Sequence, residues 1–501
     1  MSLHNAVIIG SILILSWVIH SYYTAFRRGL REIPGPWLAK FSSLWRFSLV
    51  GRGKAHEEYR KLHRKYGQVV RTAPNVVDIS DPAAISIIYG INSTFMKSDF
   101  YHTLDITIDD KSMPNMFSAT SSEDHKALKR PVAQKFSMTS IRTLEYLVDP
   151  CTEIFIDAMR EMQGQVVDLG VWVQWYAFDA IGSMTFAQQF GFMEHREDVQ
   201  DVISGIEAGL KYAGLIGQVP WLHRVLLGSF TFRQLVRKLS LPDPIAIVTD
   251  MVEKAIKKYD DGDNAVDRVD FLAFLRQQSK STGEQMSRGE LMNHLMDNLL
   301  AGSDTTAISL RATFYYVIRD ERIYRKLQEE IDAFQAAGKL SPIITYGESL
   351  RMEYLQLCLK EAMRMHPGVS YPLERVVPAG GSRLGGQFLP EGTIVGANAA
   401  VLHRNRHIFG EDADEFRPER WLGDEEKVKI MDRHLLTFGA GARTCIGKNI
   451  SIMEMCKLVP QVLRQFELEW ASDESEWDVQ TYWFAKQMGL LVRFKERTQA
   501  Q

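Results

Sequence analysis

Cys445 lies within Phe438-Gly439-Ala440-Gly441-Ala442-Arg443-Thr444-Cys445-Ile446-Gly447, a stretch whose residue types suit a thiolate held against a flat iron cofactor. Gly439, Gly441 and Gly447 permit tight turns and let backbone approach a porphyrin. Phe438 can pack on the ring, and the Arg443 guanidinium matches a propionate carboxylate bidentately. A helix is expected just after Cys445, and its unpaired N–H groups and positive end favour the thiolate. A thiolate pushes electron density onto haem iron and favours O–O cleavage. The competing reading is a buried free cysteine on a glycine-rich turn.

A second stretch with chemical potential is Ala301-Gly302-Ser303-Asp304-Thr305-Thr306. It falls inside a long helical pattern, where glycine costs about 1 kcal/mol relative to alanine. Asp and Thr also compete for backbone hydrogen bonds, so a widened turn is expected there. The alternative is a small-residue crossing between helices. Glu361 and Arg364 are spaced i, i+3 and can pair on one helix face, though such a pair alone is usually a surface feature. His403 and His407 sit in a strand-end and loop pattern that does not favour a metal site. Cys151, Cys358 and Cys456 form no C-x-x-C pair with one another or with Cys445, which argues against structural zinc, and Cys456 reads as core packing.

The elements that must position these residues are mostly helices. Ser287 and Glu290 have capping-box spacing at the start of a helix expected from Arg288 to about Arg319. A second runs from Met352 to Met365 and is stopped by Pro367. Val69–Thr72 and Val76–Ser80 read as strands around Ala73-Pro74-Asn75, and Thr393–Ala397 as another. Ser279–Gln285 reads as a loop. Strands do not alternate with helices, so a doubly wound sheet is excluded and the class is mainly α with small β-sheets.

At the N-terminus, residues 6–26 are largely apolar and long enough to span a bilayer. Tyr22 and Tyr23 suit an interfacial belt, and Arg27, Arg28 and Arg31 follow, which places the remaining chain on the cytosolic side. A cleaved signal peptide lacks support, because no basic region precedes the apolar run; a buried core helix is the other alternative. The expected organisation is an anchor over 1–26, a basic, Pro-rich linker over 27–36 and one catalytic domain over 37–501. A net charge of -3 gives no reason to expect nucleic-acid binding, and four cysteines in 501 residues suit a reducing compartment.

The segment around Cys445 resembles the F-x-x-G-x-R-x-C-x-G pattern of cytochromes P-450, and the resemblance extends over roughly 33–495. It implies the fold of that family, haem b with Cys445 as axial ligand, and a cofactor site including Phe438, Gly439, Arg443, Gly447 and Ala301. It further implies that Thr305 acts on bound dioxygen while Asp304 relays protons from solvent. Phe416-Arg417-Pro418-Glu419-Arg420-Trp421 is similar to the family's P-E-R segment, so Arg420 is expected to join Glu361 and Arg364 in a buried structural triad. Asp124–Arg130 resembles the helix over the propionates, with His125 and Lys129 where many members carry Trp and Arg. Arg375 matches another propionate arginine. Lys126, Lys129, Arg130, Lys135, Arg443 and Lys448 would then form a basic docking patch. By the same analogy the substrate lining includes 97–117, 206–221, Asn298, Ala301, 369–373 and 483–485.

Lys97–Tyr101, His125–Val132, Trp175–Asp179 and Val219–His223 are similar to fungal pisatin demethylase-like members, which implies fungal secondary metabolism or detoxification. The expected function is an NADPH- and dioxygen-dependent monooxygenase hydroxylating or dealkylating an apolar small molecule. No dinucleotide or flavin motif is present, so electrons are expected from a separate NADPH-cytochrome P-450 reductase, with cytochrome b5 as a second donor. The expected location is the endoplasmic reticulum membrane, single-pass, with the catalytic domain facing the cytosol. Two rivals keep the haem: an isomerase or dehydratase needing no reductase, and a non-enzymatic haem-binding module.

Overall fold

The computed structural model describes residues 8, 15–16, 18–19, 21–239, 244–262, 268–282 and 286–497. Pro74 and Asn75 turn β1 (Val69–Ala73) back onto β2 (Val76–Ile79), with Ala73 opposite Val76. The first strand runs one residue further into the turn than expected, because Ala73 still pairs, and the second stops one residue earlier, at Ile79. β3 (Met96–Lys97) follows, then the helices α1 (Ser122–Lys129), α2 (Leu169–Phe186), α3 (Val202–Ile216), α4 (Arg288–Ile318) and α5 (Glu353–Met365). β4 (Arg375–Val376), β5 (Ile394–Gly396) and α6 (Lys448–Gln465) complete the frame of the site. The principal sheet has the order β1-β2-β5-β4-β3, with β5 parallel to β2 and the other pairs antiparallel.

α4 crosses the core and begins with the expected reciprocal cap between Ser287 and Glu290. Nearly every residue of α2 is buried, and Asp168 caps its start. The two helices cross at Gly302, where a β-carbon would stand 2.9 Å from Ile181. This close crossing gives the glycine a packing role. α4 is uninterrupted α-helix through 301–306, so the widened turn expected there is not a break in the helix. The Thr305 hydroxyl donates to the Ala301 carbonyl at 2.8 Å, a back-bond of the kind that loads and bends a helix locally without ending it. The helix Phe271–Thr282 extends into the expected 279–285 loop, whose last three residues fall outside the described set.

More than half of the expected anchor over 1–26 falls outside the described residues. Among the described residues no helix is long and apolar enough to cross a membrane. The stretch 27–36 is docked rather than a free linker. Leu30 and Ile33 are buried against the sheet, and the Arg71 guanidinium donates to the carbonyls of Thr24, Ala25 and Leu30.

Candidate active site

Cys445 sits at the end of a loop tied by its own backbone. Its N–H donates to the Phe438 carbonyl at 2.8 Å, and the Thr444 N–H to that of Gly441 at 3.1 Å. Gly441 has φ +62°, and a β-carbon there would collide with the Tyr89 carbonyl, so the loop lies backbone to backbone against 89–90. Burial pushes the Cys445 thiol up, while the N–H groups of Gly447 and Lys448, at the start of α6, draw it partly back down. Cys151, Cys358 and Cys456 are packed into the core, whereas Cys445, deep in the protein, presents its side chain to a cavity of about 820 Å³.

Phe438, Gly439 and Gly447 line this cavity beside the cysteine. α4 supplies another part of its lining through Asp297, Asn298, Ala301 and Thr305. Apolar lining comes from Phe117, Ile206, Leu210, Val369, Trp483 and Phe484.

The same cavity is also lined by Lys97, His125, Lys129, Arg375 and Arg443. None of the five forms an ion pair with a carboxylate among the described residues. Arg443 donates to the carbonyls of Ala119 and Ser121, both at 2.7 Å. Arg375 donates to the Glu374 carbonyl at 2.7 Å and the Tyr101 hydroxyl at 3.2 Å. Lys129 reaches the Ala442 carbonyl at 3.3 Å. Lys97 donates to the Phe117 carbonyl and lies 4.1 Å from the Tyr101 ring centroid. Burial, then Arg375 and Arg443, hold Lys97 well below the ordinary lysine range. Burial and the neighbouring cations lower His125 to about 4. This unbalanced positive cluster, in one cavity with a thiol and apolar walls, fits a flat cofactor carrying two carboxylates. The residues present fit haem.

Asp304 and Thr305 do not face the same way. Thr305 lines the cavity. Asp304 is buried on another side of α4, where Gln174 Nε2 of α2 donates to its Oδ1 at 2.6 Å. The same Gln174 nitrogen reaches Glu207 of α3 at 3.3 Å, Arg311 holds the Gln174 oxygen at 2.7 Å, and Lys486 pairs with Glu207. Burial, then the Glu207 charge, push the Asp304 carboxyl up to about 6.

Glu361, Arg364 and Arg420 are brought together and buried. Arg364 grips Glu361 through two bonds of 2.8 and 2.9 Å, and Arg420 donates to the same carboxylate at 2.9 Å. Trp421 Nε1 adds a bond of 3.0 Å. His403 and His407 hold no metal cluster among the described residues. His403 is buried, with Nδ1 at 3.0 Å from the Arg364 carbonyl and Nε2 accepting from the Leu436 N–H at 2.8 Å. The basic patch is smaller than expected: Lys135 is buried against the Val269 carbonyl and Arg443 turns inward. Lys126, Arg130 and Lys448 remain exposed.

Sequence reasoning placed Lys97 and Glu207 within longer stretches taken as substrate lining, without a role of their own, and it missed Asp297 and Gln174. A cation and a carboxylate facing one cavity had no local signature, although Asp297 stands one turn before Ala301 on the same helix pattern.

A sequence profile of the family described as Cytochrome P450 matches residues 33–493. Cytochrome P450 monooxygenase cicH of Emericella nidulans is 38% identical over 491 residues, covering 96% of this chain and 97% of that protein. A pisatin demethylase of Fusarium vanettenii is 37% identical over 482 residues, covering 94% of this chain and 89% of the relative. Cytochrome P450 monooxygenase gsfF of Penicillium aethiopicum is 35% identical, covering 97% of this chain and 96% of its own. With the thiol, the cation cluster and these similarities together, the chain belongs to the cytochrome P450 family and is a haem-thiolate monooxygenase similar to fungal pisatin demethylases.

Proposed function

We propose that this enzyme uses NADPH, through a separate reductase, to hydroxylate or oxidatively dealkylate an apolar small molecule in fungal secondary metabolism or detoxification. The observation that carries this reading is that Cys445, Ala301 and Thr305 line one largely apolar cavity. The relative named pisatin demethylase supports dealkylation within the same reaction class.

A bound haem supplies the activation of dioxygen and the insertion of one oxygen atom. Cys445 would hold the iron through its sulfur. Arg375 and Arg443 would hold the propionates by charge-assisted hydrogen bonds, with Lys97, His125 and Lys129 as further donors beside them. Thr305 presents a hydroxyl to the cavity. Asp304, near pKa 6, takes up and releases a proton close to neutral pH, and Gln174 links it to the partly exposed Glu207. Phe117, Trp483 and Phe484 exclude water and hold the substrate. Glu361, Arg364 and Arg420 are structural.

The membrane anchor is part of this proposal. The apolar run 6–26, the arginines after it and the exposed Trp37, Leu38 and Leu44 support a chain held at the endoplasmic reticulum with its body in the cytosol. Exposed Lys126, Arg130 and Lys448 suit an acidic reductase surface, and cytochrome b5 could use the same one. The test is microsomal enzyme with reductase, NADPH and labelled dioxygen. One labelled oxygen atom is expected in the product or in the fragment released. Turnover without dioxygen or NADPH overturns the reading in favour of an isomerase or dehydratase.

A further inference from the structure

β3 and β4 are each two residues long, and they carry Lys97 and Arg375 directly opposite each other on the face that lines the cavity. Like charges in that position push the strands apart. One step along the same register Ser98 stands opposite Glu374, and alternation turns this pair to the other face of the sheet. There the Ser98 hydroxyl donates to Glu374 Oε2 at 2.6 Å. Glu374 Oε1 pairs at 2.7 Å with Nη1 of Arg46, which stands on the helix Leu44–Gly51. Arg46 is held in turn, because its Nε donates to the Tyr59 hydroxyl at 3.0 Å. Ser98, Glu374 and Arg46 are buried, and none of them lines the cavity. A hydrogen bond to a carboxylate outweighs the repulsion of one opposed pair of like charges.

We propose that Glu374 is a positioning residue for the cofactor site: it clamps β4 to β3 from the far face of the sheet and so keeps Arg375 aimed at a propionate. This role rests on the reading of Arg375 as a residue that holds the cofactor, and deepens it. Glu374 acts through both of its ends. Its carboxylate ties β4 to Ser98, the neighbour of Lys97, and to the helix that carries Arg46. Its carbonyl accepts from Arg375 Nη1 at 2.7 Å, and the Tyr101 hydroxyl meets the same nitrogen at 3.2 Å. A shift of the Glu374 backbone therefore carries the guanidinium with it. Without the clamp, the short pairing of β3 with β4 faces the cation repulsion alone.

The test is a double-mutant cycle on haem loss from the haem-loaded enzyme, read by transfer to an excess acceptor protein. No substrate, NADPH or reductase is present, so the result stands apart from whether the enzyme turns over. Arg375→Leu alone should speed haem loss on the order of tenfold, the worth of one bond between charged groups. Glu374→Gln keeps the size of the side chain and removes its charge, and it should speed haem loss about three- to tenfold. The double variant should lose haem no faster than Arg375→Leu, because Glu374 acts through that guanidinium. A residue that only stabilised the fold would add its effect to that of Arg375→Leu, so a double variant showing the product of the two single effects overturns the proposal. Parental haem loss in Glu374→Gln beside rapid loss in Arg375→Leu overturns it as well. Parental loss in Arg375→Leu overturns it together with the reading of Arg375 as a propionate residue. If Glu374→Gln does not take up haem, Ser98→Ala, which leaves the Arg46–Glu374 pair in place, replaces it in the cycle with the same outcomes.

Discussion

Lys97 and Arg375 stand directly opposite each other in the antiparallel pairing of β3 with β4. Directly opposed residues share a face of the sheet, and like charges in that position destabilise it. Both side chains line the cavity that holds Cys445. The arrangement is thus unfavourable alone and favourable once an anion arrives.

Lys97→Met separates these two effects. Removing one cation should leave the haem-free protein as stable as the parent or more so. It should also speed loss of haem on the order of tenfold, because a charge-assisted bond to a propionate is gone. Haem transfer to an excess acceptor protein and the melting midpoint of the haem-free form measure the two. Unchanged haem loss would remove Lys97 from the cofactor site.

Glu361→Gln should behave in the opposite way. The carboxylate pairs with two buried guanidinium groups and also accepts from Trp421. Breaking a buried pair by removing one partner costs about 3–5 kcal/mol. Soluble yield and haem content should fall sharply even though the residue is outside the cavity lining. A variant with parental yield and melting midpoint would show that the network adds little.

These two sites also mark how far the sequence could be read. Glu361 and Arg364 lie one helical turn apart, and the segment containing Arg420 is recognisable as a word, so the network was legible. The Cys445 loop was legible because glycine, Arg443 and cysteine fall within ten consecutive residues. Lys97 meets Arg375 only through strand pairing between residues far apart in the chain, which no local pattern encodes. Asp304 was read as relaying protons from solvent, and the partner that holds it, Gln174, stands on another helix far away in the chain, where no local pattern marks it. Gly302 read as the mark of a widened turn, while packing against Ile181 is what the crossing requires. The stretch 27–36 looked like a linker from its charge and prolines, but Leu30 and Ile33 bury against the sheet.

Thr305→Ala removes the hydroxyl that faces the cavity. NADPH should still be consumed, with more of it ending as hydrogen peroxide and less as product. Parallel assays of NADPH, peroxide and product check this, and unchanged coupling would take Thr305 out of the reaction.

Glu207→Gln tests whether Asp304 communicates with the surface. Asp304 is pushed up to about 6, and the Glu207 charge is the second cause after burial. Removing that charge lowers the Asp304 value, and unpairing Lys486 lowers it further, with Arg311 acting in the same direction. A proton donor is lost as pH rises through its pKa, so the fall in coupling should move to lower pH in the variant. Substrate binding should be unaffected by the same change. A coupling profile that superimposes on the parent would disconnect Glu207 from Asp304.

Glu454 on α6 offers a stability test away from the site. It is fully buried, neither carboxylate oxygen has a partner among the described residues, and burial pushes it well above the ordinary range. The folded protein therefore keeps this proton where the unfolded chain has released it. Above the unfolded value of about 4.3 the folded state binds one proton more, so this group's contribution falls by about 1.4 kcal/mol per pH unit as pH rises. Glu454→Met fills a similar volume without the carboxyl and also removes an unsatisfied buried group, worth about 1–3 kcal/mol. The variant should melt higher than the parent at pH 7, and its midpoint should depend less on pH between 5 and 7. A lower midpoint with an unchanged pH dependence would mean that the carboxyl has a stabilising partner in the folded enzyme.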